Sequence, residues 1–188
     1  MNPSEETHRY DPVARTAHWL HVLLLLGSFT LGFIMVDLAS SPLKLQMFAW
    51  HKWIGVIVAA VVLLRFVWRL RHSPPPLPVS IPAWQREAAR ISHRLLYAML
   101  FAVPLSGWLM SSAKGYQTVL FAVLPIPDLL DKNPPLGAAL EEAHWVLNKL
   151  LLGLIALHVA AAFKHYFIDR NQVLARMLPD VVPFRKPQ

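Results

Sequence analysis

Four runs of about twenty apolar residues, each closed off from the next by a polar or proline-rich connector, leave this chain few ways to fold. They are Ala17–Val36, Trp50–Trp68, Ile91–Ala113 and Ala143–Ile168. A helix rises 1.5 Å per residue, so about 20 residues cross the hydrocarbon core of a bilayer, and each run is long enough. The connectors carry the expected punctuation. His72-Ser73-Pro74-Pro75-Pro76-Leu77-Pro78 separates the second and third runs, and Leu124-Pro125-Ile126-Pro127 with Asn133-Pro134-Pro135 separates the third and fourth. Proline has no amide hydrogen to donate and stops helices, which makes these segments loops. Pro104 falls inside the third run and should kink it, as membrane helices tolerate. The fold class read from the sequence is all-α: a transmembrane four-helix bundle, with residues 1–188 as one membrane domain.

Composition supports this. Apolar residues make up 55% of the 188 and charged residues only 15%, against roughly 25% in soluble domains. A net charge of +7 would suit nucleic-acid binding if the cations shared a polar surface. They flank the apolar runs instead, so they report topology, and no nucleic-acid partner is expected. Arg9 and Arg15 precede the first run. Arg69, Arg71, Arg86, Arg90 and Arg94 surround the second connector, and Lys164, Arg170, Arg176, Arg185 and Lys186 follow or close the fourth run. The opposite side has Lys44, Lys52, Lys114, Lys132 and Lys149 against Asp37, Asp128, Asp131, Glu141 and Glu142. The positive-inside rule then puts both termini in the cytoplasm. Trp19, Trp50, Trp53, Trp68, Trp108 and Trp145 lie near run ends, as an aromatic belt requires. The first run is expected to stay in the mature protein, because it is of full spanning length and no small-residue cleavage site follows it.

The histidines carry the chemistry. There are nine, and seven lie within or at the edge of the runs: His18, His21, His51, His93, His144, His158 and His165. Polar side chains inside a bilayer face the bundle interior and have a partner. His144 and His158 are fourteen residues apart, about 21 Å along a helix and within roughly 40° of the same face. One helix thus offers an imidazole at each of two depths. With alternating helix directions, His18 reaches the cytoplasmic level of His158, and His51 the outer level of His144. Two imidazoles from different helices at one depth suit an iron porphyrin, so two haems are expected, held by the pairs His18–His158 and His51–His144. There is no cysteine, which excludes a covalently attached c-type haem, iron–sulfur ligation and disulfides.

Other residues fit around that frame. Arg65 follows His51 by fourteen residues, so it shares that face at the inner level, where a haem propionate would pair its charge. Gly27, Gly32, Gly55, Gly107 and Gly153 would let a flat macrocycle or a helix come close. His93 reads as an inner ligand in place of His18 or His158, as part of a quinone site, or as a residue facing the headgroups. His21 reads as supporting or structural and His165 as interfacial. Lys149 reads as snorkelling outward or meeting an outer propionate. His8 and His72 are loop residues with no role assigned. Zinc also favours histidine, but a structural zinc wants four ligands and each depth offers two or three imidazoles without a carboxylate. Ala17-His18-Trp19-Leu20 and Ala143-His144-Trp145-Val146 look alike but are too short to argue a duplication.

These residues resemble the bacterial cytochrome b561 family, which is related to the di-haem cytochrome b subunits of formate dehydrogenase and nickel–iron hydrogenase. The likeness covers nearly the whole chain. It is densest in Arg9-Tyr10 through Ala17-His18-Trp19, in His51-Lys52-Trp53-Ile54-Gly55, in Leu64-Arg65-Phe66-Val67-Trp68-Arg69, and from His158 through Lys164-His165-Tyr166-Phe167-Ile168-Asp169 to Arg176-Met177-Leu178-Pro179. The connector from Lys114 to Glu141 resembles no member strongly. The resemblance implies axial positions at His18, His51, His144 and His158, two haem b groups, and residence in the bacterial inner (cytoplasmic) membrane. It also implies electron transfer between a donor and ubiquinone, the best-known activity being oxidation of superoxide at the outer face with reduction of ubiquinone. Lys52 and Lys149 would give a positive field for such an anion, or simply anchor helix ends. Two other functions remain expected alternatives: a membrane anchor relaying electrons for a dehydrogenase partner subunit, and a haem-free transporter or metal-binding membrane protein.

Overall fold

The computed structural model describes residues 9–78 and 81–178; His8, Pro179, Arg185 and Lys186 lie outside the described residues. Four long helices dominate: α1 (Pro12–Asp37), α2 (Pro42–Arg71), α3 (Ala83–Ala113) and α4 (Pro134–Phe163). A π-helical turn, Lys164–Ile168, continues α4, and a 3-10 turn, Ala175–Met177, closes the described chain. All four helices are long and apolar enough to cross a membrane.

Each helix begins five to nine residues before its apolar run, and for α1, α2 and α4 capping explains the difference. Asp11, Ser41 and Asn133 accept the amide hydrogens of Ala14, Lys44 and Leu136 at 2.9, 3.2 and 3.1 Å. Proline follows each cap in the first turn, where its missing amide hydrogen has no helical partner to lose. Pro134-Pro135, read from sequence as loop, is therefore the first turn of α4. The connector before it also departs from a plain loop. Val119–Leu120 (β1) and Leu124–Pro125 (β2) pair antiparallel, with Val119 opposite Pro125 and Leu120 opposite Leu124. Phe121 and Ala122 turn the hairpin with φ of 52° and 60°.

α1 packs mainly on α2 and α3 mainly on α4, with α2 against α3 joining the two halves. The dry core is small: Val62, Leu100 and Leu151, surrounded by Leu25, Phe29, Tyr97, Val103 and Ile155 among others. Large apolar side chains such as Leu23, Leu26, Phe33 and Leu157 point away from the bundle. In water this would be a severe exposure; in lipid it is the favourable arrangement.

The two ends of the bundle are finished differently. At the terminal end, Arg9 and Arg15 both donate to the Leu178 carbonyl at 2.9 Å, and the Trp19 indole donates to the Met177 carbonyl at 2.8 Å. Arg176, 1% exposed, donates to the Pro76 carbonyl of the second connector at 2.7 Å. The Trp68 indole reaches Asp11 at 3.0 Å. Partial burial raises the pKa of Asp11, but the hydrogen bonds from Ala14 and Trp68 outweigh that and hold it below its ordinary value. At the hairpin end, Lys52 and Trp53 of α2 donate to the carbonyls of Tyr116 and Val119 at 2.8 and 2.7 Å, and Trp108 of α3 donates to that of Pro127 at 3.0 Å. The arginines of the N-terminal segment, the second connector and the segment after α4 thus gather at one end, and the tryptophans serve both.

Candidate functional site

The interior brings four of the histidines together in twos. The ring centres of His51 (α2) and His144 (α4) are 6.4 Å apart towards the hairpin end. Those of His18 (α1) and His158 (α4) are also 6.4 Å apart, towards the terminal end. Two imidazoles bound to one iron, each nitrogen about 2 Å from the metal, have ring centres roughly 6.3 Å apart. Both spacings match a metal held between the rings, and neither allows direct hydrogen bonding ring to ring. Among the described residues no three His, Cys, Asp or Glu side chains converge as a bare metal ion would need.

The hairpin-end rings are seated by their neighbours. His51 Nδ1 lies 3.0 Å from the Ser28 carbonyl of α1 and 3.4 Å from that residue's hydroxyl. His144 Nδ1 lies 3.1 Å from the Val103 carbonyl and 2.9 Å from the Ser106 hydroxyl, both on α3. A carbonyl only accepts, so both rings carry their proton on Nδ1 and leave the Nε2 lone pair free. Glycines make the fit possible. A Cβ on Gly107 would stand 3.0 Å from His144 Cε1, and one on Gly32 would stand 3.5 Å from His51 Cε1. Gly55 opens with Leu25, Phe29, Val58 and Asn148 onto a cleft of about 420 Å³ that contains both imidazoles. An added Cβ there, or at Gly153, would meet nothing within 4 Å, whereas at Gly27 it would make ordinary contact with Ile54. Of the five glycines noted in the sequence, two receive imidazoles and one faces the cleft.

The terminal-end pair has charged and titratable company. Arg65 Nη2 donates to His18 Nδ1 at 3.2 Å, and its positive charge also acts on His21, His93 and His158. A guanidinium has no lone pair, so His18 Nδ1 accepts and the proton of the neutral ring is on Nε2. Iron at Nε2 would therefore require Arg65 to exchange His18 for another acceptor. Arg65 and Arg69 both stand over the Tyr97 ring, 5.8 and 5.9 Å from its centre. With Tyr10, Trp68 and His72 they line a cleft of about 530 Å³. His93 is a third imidazole at this level, its ring 5.4 Å from that of His158. That is about 1 Å short of the separation an iron between two imidazoles demands.

The remaining sequence candidates fall elsewhere. His21 is 1% exposed, and both its nitrogens lack a hydrogen-bond partner among the described residues. His165 sits in the π turn and bonds Asp169 at 2.8 Å, beside the Lys164–Asp169 contact at 2.7 Å. These two partners hold the Asp169 carboxyl below its ordinary pKa. His72 stacks on Trp68. Lys149 turns outward onto the Trp145 ring at 3.5 Å, and Lys52 is tied to the third connector, so both lysines anchor helix ends. Ser28 and Ser106 were missed in the sequence. The glycines beside them, Gly32 one turn on and Gly107 next in chain, were the available signal.

Four spanning helices with paired imidazoles at two depths, taken with the family match that follows, make this a multi-pass bacterial membrane protein that binds haem b and transfers electrons. More particularly, the chain belongs to the prokaryotic cytochrome b561 family, whose model matches residues 9–180. Two relatives come from Escherichia coli K12. Cytochrome b561 homolog 2 is 32% identical over 186 residues, covering 95% of each chain, and cytochrome b561 homolog 1 is 28% identical over 184 residues, covering 92% of this chain and 98% of its own. A probable superoxide oxidase CybB of Yersinia pestis is 25% identical over 172 residues, covering 86% of this chain and 97% of its own.

Proposed function

We propose that the protein is a di-haem membrane oxidoreductase, with one haem b between His51 and His144 and the other between His18 and His158. It carries electrons from a donor outside the cell membrane to ubiquinone near the cytoplasmic side. The observation that carries this reading is the recurrence of one ring spacing, 6.4 Å, in two pairs drawn from three helices. Both termini lie in the cytoplasm of the bacterial inner membrane, the side on which the arginines gather.

When bound, the haems supply one-electron oxidation and reduction. The chain's own residues do the rest. Nδ1 of His51 and of His144 is held by carbonyl and hydroxyl oxygens, which fixes the tautomer that leaves Nε2 to the iron. With haem bound, Arg65 would turn from His18 Nδ1 to a propionate, which would meet the cost of a cation at that depth. The quinone binds at the terminal end, where Arg65, His93, Lys164 and His165 supply the polar contacts and exchangeable protons that the interior lacks. Superoxide is the proposed donor, in line with the similarity to the probable superoxide oxidase of Yersinia pestis. Lys52 and Lys149, each held by a neighbour at the hairpin end, would draw an anionic donor by long-range attraction.

A pyridine haemochrome assay of the purified protein is expected to give two haems per chain, and superoxide is expected to drive ubiquinone reduction. A colourless preparation would leave a haem-free transporter or metal-binding protein as the reading. Stoichiometric co-purification with a dehydrogenase, without superoxide-dependent turnover, would make it that enzyme's membrane anchor.

A further inference from the structure

On the reading that His51 and His144 hold a haem between them, we infer that Ser28 and Ser106 are positioning residues that lower that haem's potential by keeping both imidazoles as Nδ1–H donors. The geometry at Ser106 is specific. Its hydroxyl donates to the Val103 carbonyl at 2.8 Å, which turns an oxygen lone pair towards His144 Nδ1 at 2.9 Å. The imidazole hydrogen is then shared between that lone pair and the Val103 carbonyl at 3.1 Å. Ser106 is 7% exposed, so neither bond competes with solvent. Ser28 repeats the device on α1, with its carbonyl as the nearer acceptor of the His51 hydrogen and its hydroxyl at 3.4 Å.

Sharing Nδ1–H with oxygen acceptors gives an imidazole part of the character of its anion. A more electron-rich axial ligand favours ferric over ferrous iron and so lowers the potential. Among the described residues no carbonyl or hydroxyl oxygen is placed to accept from His18 Nδ1, whose contact is Arg65, so once Arg65 turns to a propionate that ring receives no such push. The serines therefore act on one haem of the two, and Ser106, with the shorter contact, acts more strongly.

The test uses the full-length, haem-loaded protein in lipid nanodiscs. Redox titration of the α-band and ferric electron paramagnetic resonance are read for Ser106→Ala, Ser28→Ala and the double variant. His51→Ala first identifies which redox wave belongs to the hairpin-end haem. Both single alanine variants are expected to move that wave to more positive potential and leave the other in place, with the larger shift in Ser106→Ala. Ser106→Thr, which keeps the hydroxyl, is expected to restore it. Two unmoved waves in Ser106→Ala at full haem content, or equal movement of both, would overturn the assignment. If Ser106→Ala cannot hold the haem, Ser106→Cys replaces it as a near-isosteric, weaker acceptor: a partial shift of the same sign supports the inference and an unmoved wave overturns it. A wild-type wave pattern that survives His51→Ala would instead overturn the ligand pair, whatever the serines do.

Discussion

The two histidine pairs have the same ring spacing but different surroundings. Towards the hairpin end, the imidazoles rest on backbone carbonyls, serine hydroxyls and glycine surfaces of the neighbouring helix. Towards the terminal end, they face Arg65 and His93, with Arg69, Tyr10 and Tyr97 close behind. A carbonyl neither titrates nor swings, so the first setting is fixed by the helices themselves. A long cation and a third imidazole can exchange partners, so the second can respond to charge. Electron transfer needs only the first kind of site, whereas reducing a quinone, which takes up protons, needs the second.

That contrast can be broken most decisively at the ligands. His51→Ala or His144→Ala is expected to remove one haem of two, halving the haemochrome yield while the remaining haem keeps its spectrum. Loss of both would mean that the sites are not independent, and loss of the terminal-end haem alone that the pairing is wrong. Gly107→Ala comes next. Its Cβ would press on His144 at 3.0 Å in a tightly packed interface, and such overpacking costs about 1–3 kcal/mol. Lower occupancy of the hairpin-end haem and a lower melting temperature are expected, whereas Gly153→Ala, which meets nothing, should be neutral or stabilising by up to about 1 kcal/mol.

Arg65→Ala addresses the other side of the comparison. A cation favours the reduced iron, so its loss should lower the terminal-end haem's potential by on the order of 1–2 kcal/mol per electron, at the effective dielectric of a partly buried pair. An unchanged redox wave would remove Arg65 from that site. The smallest effect should come from acid. The Asp11 carboxyl is depressed in the folded chain, so its stabilising contribution is complete above the unfolded value of about 3.9 and fades as pH falls through the lower folded value. Below about pH 4, fluorescence of Trp68, which bonds Asp11, should change before any change at the hairpin-end haem. Asp11→Asn should abolish that early phase.

Much of this was legible in the sequence, for physical reasons that also explain what was not. Bilayer thickness fixes how long a span must be, so the four apolar runs marked the helices. The fourteen-residue step from His144 to His158 fixed two depths on one face, and alternating helix directions then suggested the partners that the structure brings to 6.4 Å. The helix starts were not legible from hydropathy, because the first turns open on Pro42 and Pro134, which read as loop residues, and depend on capping by Ser41 and Asn133. The hairpin from Val119 to Pro125 was hidden by a turn at Phe121 and Ala122, residues that seldom adopt positive φ. Ser28 and Ser106 escaped because their meaning depends on the register between neighbouring helices, and a carbonyl such as that of Val103 leaves no trace in a residue's identity.

The fastening at the terminal end has a bearing on how the protein is made. The carbonyls of Arg176, Met177 and Leu178 are the acceptors for Tyr10, Arg9, Arg15 and Trp19, and the Arg176 side chain grips Pro76. A ribosome therefore delivers the acceptors for the opening segment some 160 residues after that segment itself. Until then the first helix and the second connector are without this clasp, and the cleft around Arg65 lacks the wall that Met177 supplies.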